Sequence, residues 1–288
     1  MNLFDLHADT PLTLGDDTKK SAVDIINHPF ENYIQTFAVF IRENDDNGYL
    51  TFEKHLKAIG QFAAGNKTPI IGQKLQNGIL LSAENANFLA NDINLIYNLY
   101  NASVKMVSLC WNNDNLLASG ACGNGSVTPL GKKVIGLMNS LGMALDISHL
   151  SHKAALEGID LADKVLATHS CVYDLHPHPR NIKREALLKL KQKGGIVGIC
   201  FYPEFLGGNN VAQRIKAQIE YLLSLDMQKN ISIGTDFDGA DMAPELSKTA
   251  QIYDLYIYLL KSGFEKPILE RIFYKNAIDF FSQICKNK

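Results

Sequence analysis

The 288-residue chain has no C-x-x-C pair, a single tryptophan and no excess of either charge. Its five cysteines, Cys110, Cys122, Cys171, Cys200 and Cys285, are an odd number scattered along the chain. That suits neither a disulfide framework nor a zinc finger, and it points to reduced thiols in a cytoplasmic protein. With 28 Lys+Arg against 30 Asp+Glu and a pI near 6.4, nothing electrostatic favours a phosphate backbone or an anionic membrane surface, so nucleic acid is disfavoured as a partner. There is no basic residue before Lys19, and Asp5, His7 and Asp9 fall in the first nine positions, which does not read as a secretory leader. The longest uncharged stretches, such as Asn115 to Gly131, are rich in Gly, Ser and Asn and fall short of the roughly 18 continuous apolar residues of a membrane span. No Pro/Ser-rich linker, charge block or low-complexity segment divides the chain, so residues 1–288 are expected to form one domain.

What the sequence does contain is a recurrence of short β-rich apolar runs. These are Leu3–Asp9, Ile34–Ile41, Gly78–Glu84, Val104–Cys110, Met143–His149, Lys164–Ser170, Gly195–Phe201 and Ile231–Phe237. Most lack strict polar alternation, as strands buried on both faces do, and helical patterns such as Ser151–Leu161, Val211–Asp226 and Leu269–Ile284 lie between them. Alternating strands and helices imply a parallel sheet. Eight strands with eight crossovers predict a (β/α)8 TIM barrel, with a doubly wound open sheet as the main rival. The longest loops run between Asp9 and Ile34, Cys110 and Val134, and Ser170 and Glu185; in the second, the Gly- and Ser-rich stretch 119–126 is expected to be irregular, as a mobile lid or a surface linker.

In such a barrel the active site lies at the C-terminal ends of the strands. The predicted strand ends carry His7 and Asp9, Glu84, His149, His169 and Asp236, so five of the eight end in a titratable residue. An i, i+2 spacing places His7 and Asp9 on one face, with Asp5 one step below. Singly, each residue has an ordinary explanation: a hydrogen-bonded rim histidine, a helix-capping Glu84, a turn residue at Asp236. Together, three histidines and three carboxylates on one rim would leave several charges close together, and like charges at short range destabilise unless a cation compensates them. Imidazole and carboxylate donors suit Zn, Mn, Fe or Co better than Ca or Mg, and zinc is the expected ion. Five ligands, His7, Asp9, Glu84, His149 and His169, are too many for one tetrahedral catalytic site. Two ions bridged by a carboxylate fit better, with Glu84 the candidate bridge.

Several ordered motifs then carry a resemblance. His7-Ala8-Asp9-Thr10-Pro11-Leu12, Leu81-Ser82-Ala83-Glu84, Thr128-Pro129-Leu130-Gly131, Asp146-Ile147-Ser148-His149-Leu150-Ser151, Thr168-His169-Ser170, Arg180-Asn181 and Gly234-Thr235-Asp236-Phe237-Asp238-Gly239 together resemble the membrane (renal) dipeptidase family of zinc peptidases. The resemblance runs from His7 to the Asn276–Phe281 stretch. It implies a metal-dependent dipeptidase acting through a metal-bridging hydroxide. His7 and Asp9 would hold one zinc, His149 and His169 the other, and Glu84 would bridge them. It further implies that Asp236 moves protons for the attacking water and leaving amine, and that Arg180 holds the substrate carboxylate. The implied substrate is a small dipeptide, with a D-residue tolerated at its C-terminal side.

One position departs from that pattern. Where the family has a histidine after strand four, this chain reads Leu109-Cys110-Trp111-Asn112. Trp111 offers one N–H donor and a large apolar face, so its expected role is contact with substrate rather than polarisation of a carbonyl. His176 and His178 fall in a proline-flanked loop beside Arg180, His152 on the following helix, and His28 and His55 outside any motif. Two other readings stand beside the dipeptidase. One is another binuclear-metal hydrolase on the same barrel, acting on cyclic amides, aminated bases or phosphodiesters, against which the absent His-x-His opening counts. The other is a barrel that only binds a ligand. A homodimer is left open, since no heptad or apolar stripe marks an interface.

Overall fold

A computed structural model describes residues 1–16 and 18–285. Eight parallel strands close in chain order: β1 (Leu3–Ala8), β2 (Tyr33–Phe40), β3 (Gly78–Glu84), β4 (Val104–Val107), β5 (Ala144–Asp146), β6 (Val165–Ser170), β7 (Ile196–Ile199) and β8 (Ile231–Ile233). β8 pairs back to β1 through Ile233 and Asp5, completing the barrel and excluding the open sheet. The helices are α1 (Gly48–Gly65), α2 (Leu95–Asn101), α3 (Pro129–Leu141), α4 (His152–Leu161), α5 (Arg184–Gln192), α6 (Pro203–Leu206), α7 (Val211–Ser224), α8 (Gln251–Lys261), α9 (Lys266–Glu270) and α10 (Asn276–Phe281).

The crossovers are not all helical. Between β1 and β2 the chain makes only a 3-10 turn at Thr10–Leu12 among the described residues, then an irregular loop with an Asx turn at Asp24, whose carboxylate accepts from the Ile26 and Asn27 amides. The expected helix over 269–284 is also broken: a π turn at Arg271–Lys275 separates α9 from α10. The turn brings Asn276 inward, where its amide donates to the carbonyls of Ile231 and Gln228 at the start of β8.

Strand starts and strand ends differ chemically. At the starts, Phe4, Ile34, Leu80, Met106, Ala144, Leu166 and Ile196 form one apolar layer against Phe280 and Phe281, with Phe4 stacked on Phe281 at 5.2 Å. A second, larger cluster joins the outer face of the barrel to its helices.

At the ends, four strands are shorter than the apolar runs suggest. β4, β5, β7 and β8 leave the ladder after three or four residues, so His149 and Asp236 sit on the loops that follow β5 and β8. Local chemistry accompanies two of these exits, from β5 and β8. Asp146 captures the Ser148 amide at 3.0 Å, and Asp236 and Asp238 adopt left-handed backbone with φ of 66° and 67°. Two rim strands also bulge: β1 gains a residue between Asp5 and Ala8, and β6 gains one between Ala167 and Ser170. Bulges of this kind re-aim side chains at barrel rims.

Stretch 119–126 is irregular, as expected, but it is not a free lid. Gly120 bridges to Leu150 and Ala118 to Val127, the Ala121 amide donates to the His149 carbonyl at 2.9 Å, and Asp114 accepts from the Ser119 hydroxyl at 2.6 Å.

Candidate active site

The strand ends surround a cavity of about 970 Å³, lined by four of the expected ligands, Asp9, Glu84, His149 and His169, with His7 buried behind them. His7, Asp9, Glu84, His149 and His169 are all buried, and the structure brings all five together. His7 Nε2 lies 3.4 Å from Asp9 Oδ2 and 3.3 Å from Glu84 Oε2. His149 Nε2 lies 2.6 Å from Glu84 Oε1 and 2.9 Å from His169 Nε2. The two Glu84 oxygens therefore face different histidines. Asp5 stays outside the group: the extra residue in β1 breaks the alternation, and Asp5 instead accepts from the Thr235 amide and hydroxyl and from Gln35.

Asp236 stands at the edge of this cluster, with Oδ1 3.9 Å from His7 Nε2. Its left-handed backbone is fixed from both sides, because the Asp236 amide donates to the His7 carbonyl at 3.1 Å and the Asp9 amide to the Phe237 carbonyl at 2.8 Å. The thiol of Cys200 approaches its other oxygen at 3.6 Å. Arg180 is 5% exposed and has no salt-bridge partner among the described residues, which removes the surface ion pair as its explanation. Its Nη2 lies 3.3 Å from His149 Nε2, its guanidinium sits 5.2 Å above the Phe205 ring, and Nε and Nη1 lack partners. Trp111 forms part of the cavity wall, packed against Phe40 and His149 at 5.4 and 6.0 Å between ring centres. His178 reaches the same cavity. His176 stacks on it, and His152 begins α4 and pairs with Glu185.

Burial and close-set charges displace every ionisable group of this cluster from its ordinary value. Burial alone would push His7 down, but Glu84 and Asp9 hold it well above the ordinary imidazole value. His149 is pushed down to about 4, first by burial and then by Arg180. His169 is held well below its usual range by burial and by the neighbouring His7 and His149. Against its own burial, Glu84 is pulled well below the carboxylate range by His7 and His149, whereas burial and Glu84 raise Asp9 well above it. Burial, reinforced by Glu84, lifts Asp236 to about 6.

His7 Nε2, Asp9 Oδ1 and Glu84 Oε2 are buried without hydrogen-bond partners. Orphaned polar atoms of this kind are costly unless something binds them, and a bound metal ion would satisfy all three. Two ligand groups of the right type lie close together, His7 with Glu84 and His169, and His7 with Asp9 and Asp236. The residues present therefore fit a metal centre.

Sequence reasoning named the inward-facing residues and missed those behind them. Asn112 Oδ1 lies 3.1 Å from His149 Nδ1, and Thr168 Oγ1 lies 2.8 Å from His169 Nδ1. Both sit beside motif residues, and adjacency was the only available signal. Asp238 was also passed over; it accepts from the Thr10 and Ser21 hydroxyls and the Ala22 amide, tying the β1–β2 loop to the β8 loop.

Comparison with known proteins agrees with this geometry. Residues 1–288 match the family described as membrane dipeptidase, peptidase family M19. An uncharacterised dipeptidase of Schizosaccharomyces pombe is 26% identical over 209 residues, covering 69% of this chain and 51% of the yeast protein. Dipeptidase tcpJ of Claviceps purpurea is 26% identical over 214 residues, 71% of this chain and 50% of that protein. The chain thus spans about half the length of these two relatives. Among solved structures, a family M19 dipeptidase superimposes with a TM-score of 0.90 at 16% identity, covering 100% of this chain and 99% of that one. A Rhodobacter sphaeroides metallopeptidase, liganded with a phosphinate mimic of L-Ala-D-Ala, gives 0.85 at 17% identity and 99% coverage of both chains. At these identities the likeness establishes the barrel fold.

Proposed function

This chain belongs to the membrane dipeptidase family, peptidase family M19, and from that premise we propose that it hydrolyses the peptide bond of small dipeptides at a two-zinc centre. The observation that carries the proposal is the division of Glu84, one oxygen turned to His7 and the other to His149, as a carboxylate bridging two ions requires. His7 and Asp9 would hold one ion, and His149 and His169 the other. Zinc is favoured by the imidazole and carboxylate donors. When bound, such ions polarise a carbonyl and make water nucleophilic at neutral pH.

The chain's own residues account for the other requirements. Asp236, at the cluster's edge with one oxygen toward His7, accepts the proton of the attacking water and returns it to the leaving amine. The Arg180 guanidinium, buried with two nitrogens unpartnered, is suited to the carboxylate at the substrate's C-terminal end. Trp111 gives the substrate an apolar wall at the position where the family resemblance implies a histidine. The mimic bound by the Rhodobacter sphaeroides protein supports including peptides with a D-residue at the C-terminal position among the candidate substrates.

The test combines metal analysis of protein purified without chelator with a substrate panel of L,L and L,D dipeptides, dihydroorotate-like cyclic amides and phosphodiesters. We expect about two zinc ions per chain and turnover of dipeptides. Absence of bound metal, or turnover confined to the other substrate classes, would overturn the reading.

A further inference from the structure

We propose that the Thr168 hydroxyl, held by Asp146, is a single positioning group for His7 and His169, setting the tautomer of both so that their Nε2 atoms face the cluster of Asp9, Glu84 and His149. The inference rests on the metal-centre reading above and adds a residue that no ligand assignment includes.

The argument is one of donors and acceptors. Asp146 Oδ1 accepts from the Ser148 amide at 3.0 Å, the Ser148 hydroxyl at 2.6 Å and the Thr168 amide at 3.1 Å. Asp146 Oδ2 accepts from the Thr168 hydroxyl at 2.6 Å. A threonine hydroxyl has one proton to give, and here that proton goes to Asp146. Towards its other neighbours Thr168 Oγ1 is therefore an acceptor. Two of those neighbours are ring nitrogens, His169 Nδ1 at 2.8 Å and His7 Nδ1 at 3.3 Å. Each must bring a proton to the contact, which places the N–H at Nδ1 and leaves the Nε2 lone pair for a ligand.

His149 is set separately, its Nδ1 meeting Asn112 Oδ1 at 3.1 Å. The backbone around Thr168 is also fixed. Its carbonyl fits against Gly198 and Gly234 so closely that a Cβ on either glycine would overlap it. The β6 bulge lies at the same place. One hydroxyl thus serves two histidines assigned to different ions, which predicts that its loss weakens both ions together.

The experiment measures zinc affinity by competition with a chelator, alongside ¹⁵N spectra of the imidazoles in zinc-loaded protein. Outer-group partners of metal-binding histidines typically contribute about 10- to 100-fold in affinity. Thr168→Val keeps the shape and removes the hydroxyl, so both ions should bind about 10- to 100-fold more weakly, and Thr168→Ser should restore them. Asn112→Ala should weaken only one ion. Wild-type spectra should show the proton on Nδ1 of both His7 and His169, a reading that does not depend on any variant folding. An Nε2–H tautomer at either ring, or unchanged affinity at either ion in folded Thr168→Val, would overturn the proposal. Wild-type protein that binds no zinc would instead overturn the site reading itself.

Discussion

Gly239 lies against Asp9 so closely that a Cβ on it would overlap the Asp9 carboxylate and stand 2.9 Å from Asp236 Oδ1. Two aspartates with different proposed roles, metal ligand and proton carrier, thus depend on one missing side chain. Gly239→Ala should leave the barrel folded, because the atoms displaced are side-chain tips. It should lower zinc content below two per chain and lower activity with it. Full metal occupancy with unchanged activity in this variant would show that the two carboxylates have room to spare.

Asp236→Asn keeps the shape and removes the base. Proton transfer by a positioned side chain is worth roughly 10²- to 10⁴-fold, so kcat should fall by about that factor while metal content is retained. A wild-type kcat in the metal-loaded variant would remove Asp236 from the mechanism.

Asp238 fastens the β1–β2 loop, part of which, Lys19 to Ala22, lines the cavity. In Asp238→Ala the three bonds to Thr10, Ser21 and Ala22 are lost. The loop should then become more accessible to protease, and KM should rise more than kcat falls. Limited proteolysis and steady-state kinetics on the same preparation would decide this; an unchanged cleavage pattern counts against the fastening role.

Trp111→Ala removes the apolar wall beside His149. Losing contact with an aromatic face of this size costs about 1.5 kcal/mol, roughly tenfold in KM, for dipeptides with a large apolar side chain, and little for those with glycine. If KM rose equally for all dipeptides, Trp111 would be supporting His149 rather than contacting substrate.

Glu157 offers a pH test away from the centre. Its hydrogen bond with Lys132, 2.5 Å across, is the main cause holding its carboxyl below the usual range, and its other oxygen accepts from the Val127 amide in the loop leading to α3. A depressed folded-state value means stabilisation that is present above the ordinary carboxylate value and lost as pH falls through the folded one. For so exposed a pair the effect is about 0.5 kcal/mol. Urea midpoints of wild type and Glu157→Gln should therefore differ at pH 7 and converge below about pH 4. A gap that persisted in acid would assign the effect to packing.

The barrel was legible because parallel strands buried on both faces read as apolar runs, and the polar cluster at the rim because its residues sit where those runs stop. Strand lengths were not legible. Apolar residues beyond β4, β5, β7 and β8 remain buried in the rim, so burial continues after the ladder has ended. Two exits from the ladder turn on details that hydropathy does not register, Asp146 capturing an amide and Asp236 adopting left-handed backbone. The same holds for Thr168 and Asn112, since a polar residue behind a ligand has no spacing rule of its own. The 119–126 stretch read as a mobile lid or a surface linker from its glycines, whereas its order comes from bonds to Asp114, His149 and Leu150, which only the fold brings near.

The apolar layer at the strand starts bears on how the chain folds. Seven strands contribute to it, yet Phe280 and Phe281, which cover it, lie on α10 near residue 280. A chain still being synthesised would hold its strands with that end of the barrel uncovered, an apolar surface exposed to other chains until the closing segment emerges. Completion of the barrel is then a late step, and shortening the chain before Asn276 should produce aggregation rather than a smaller folded protein.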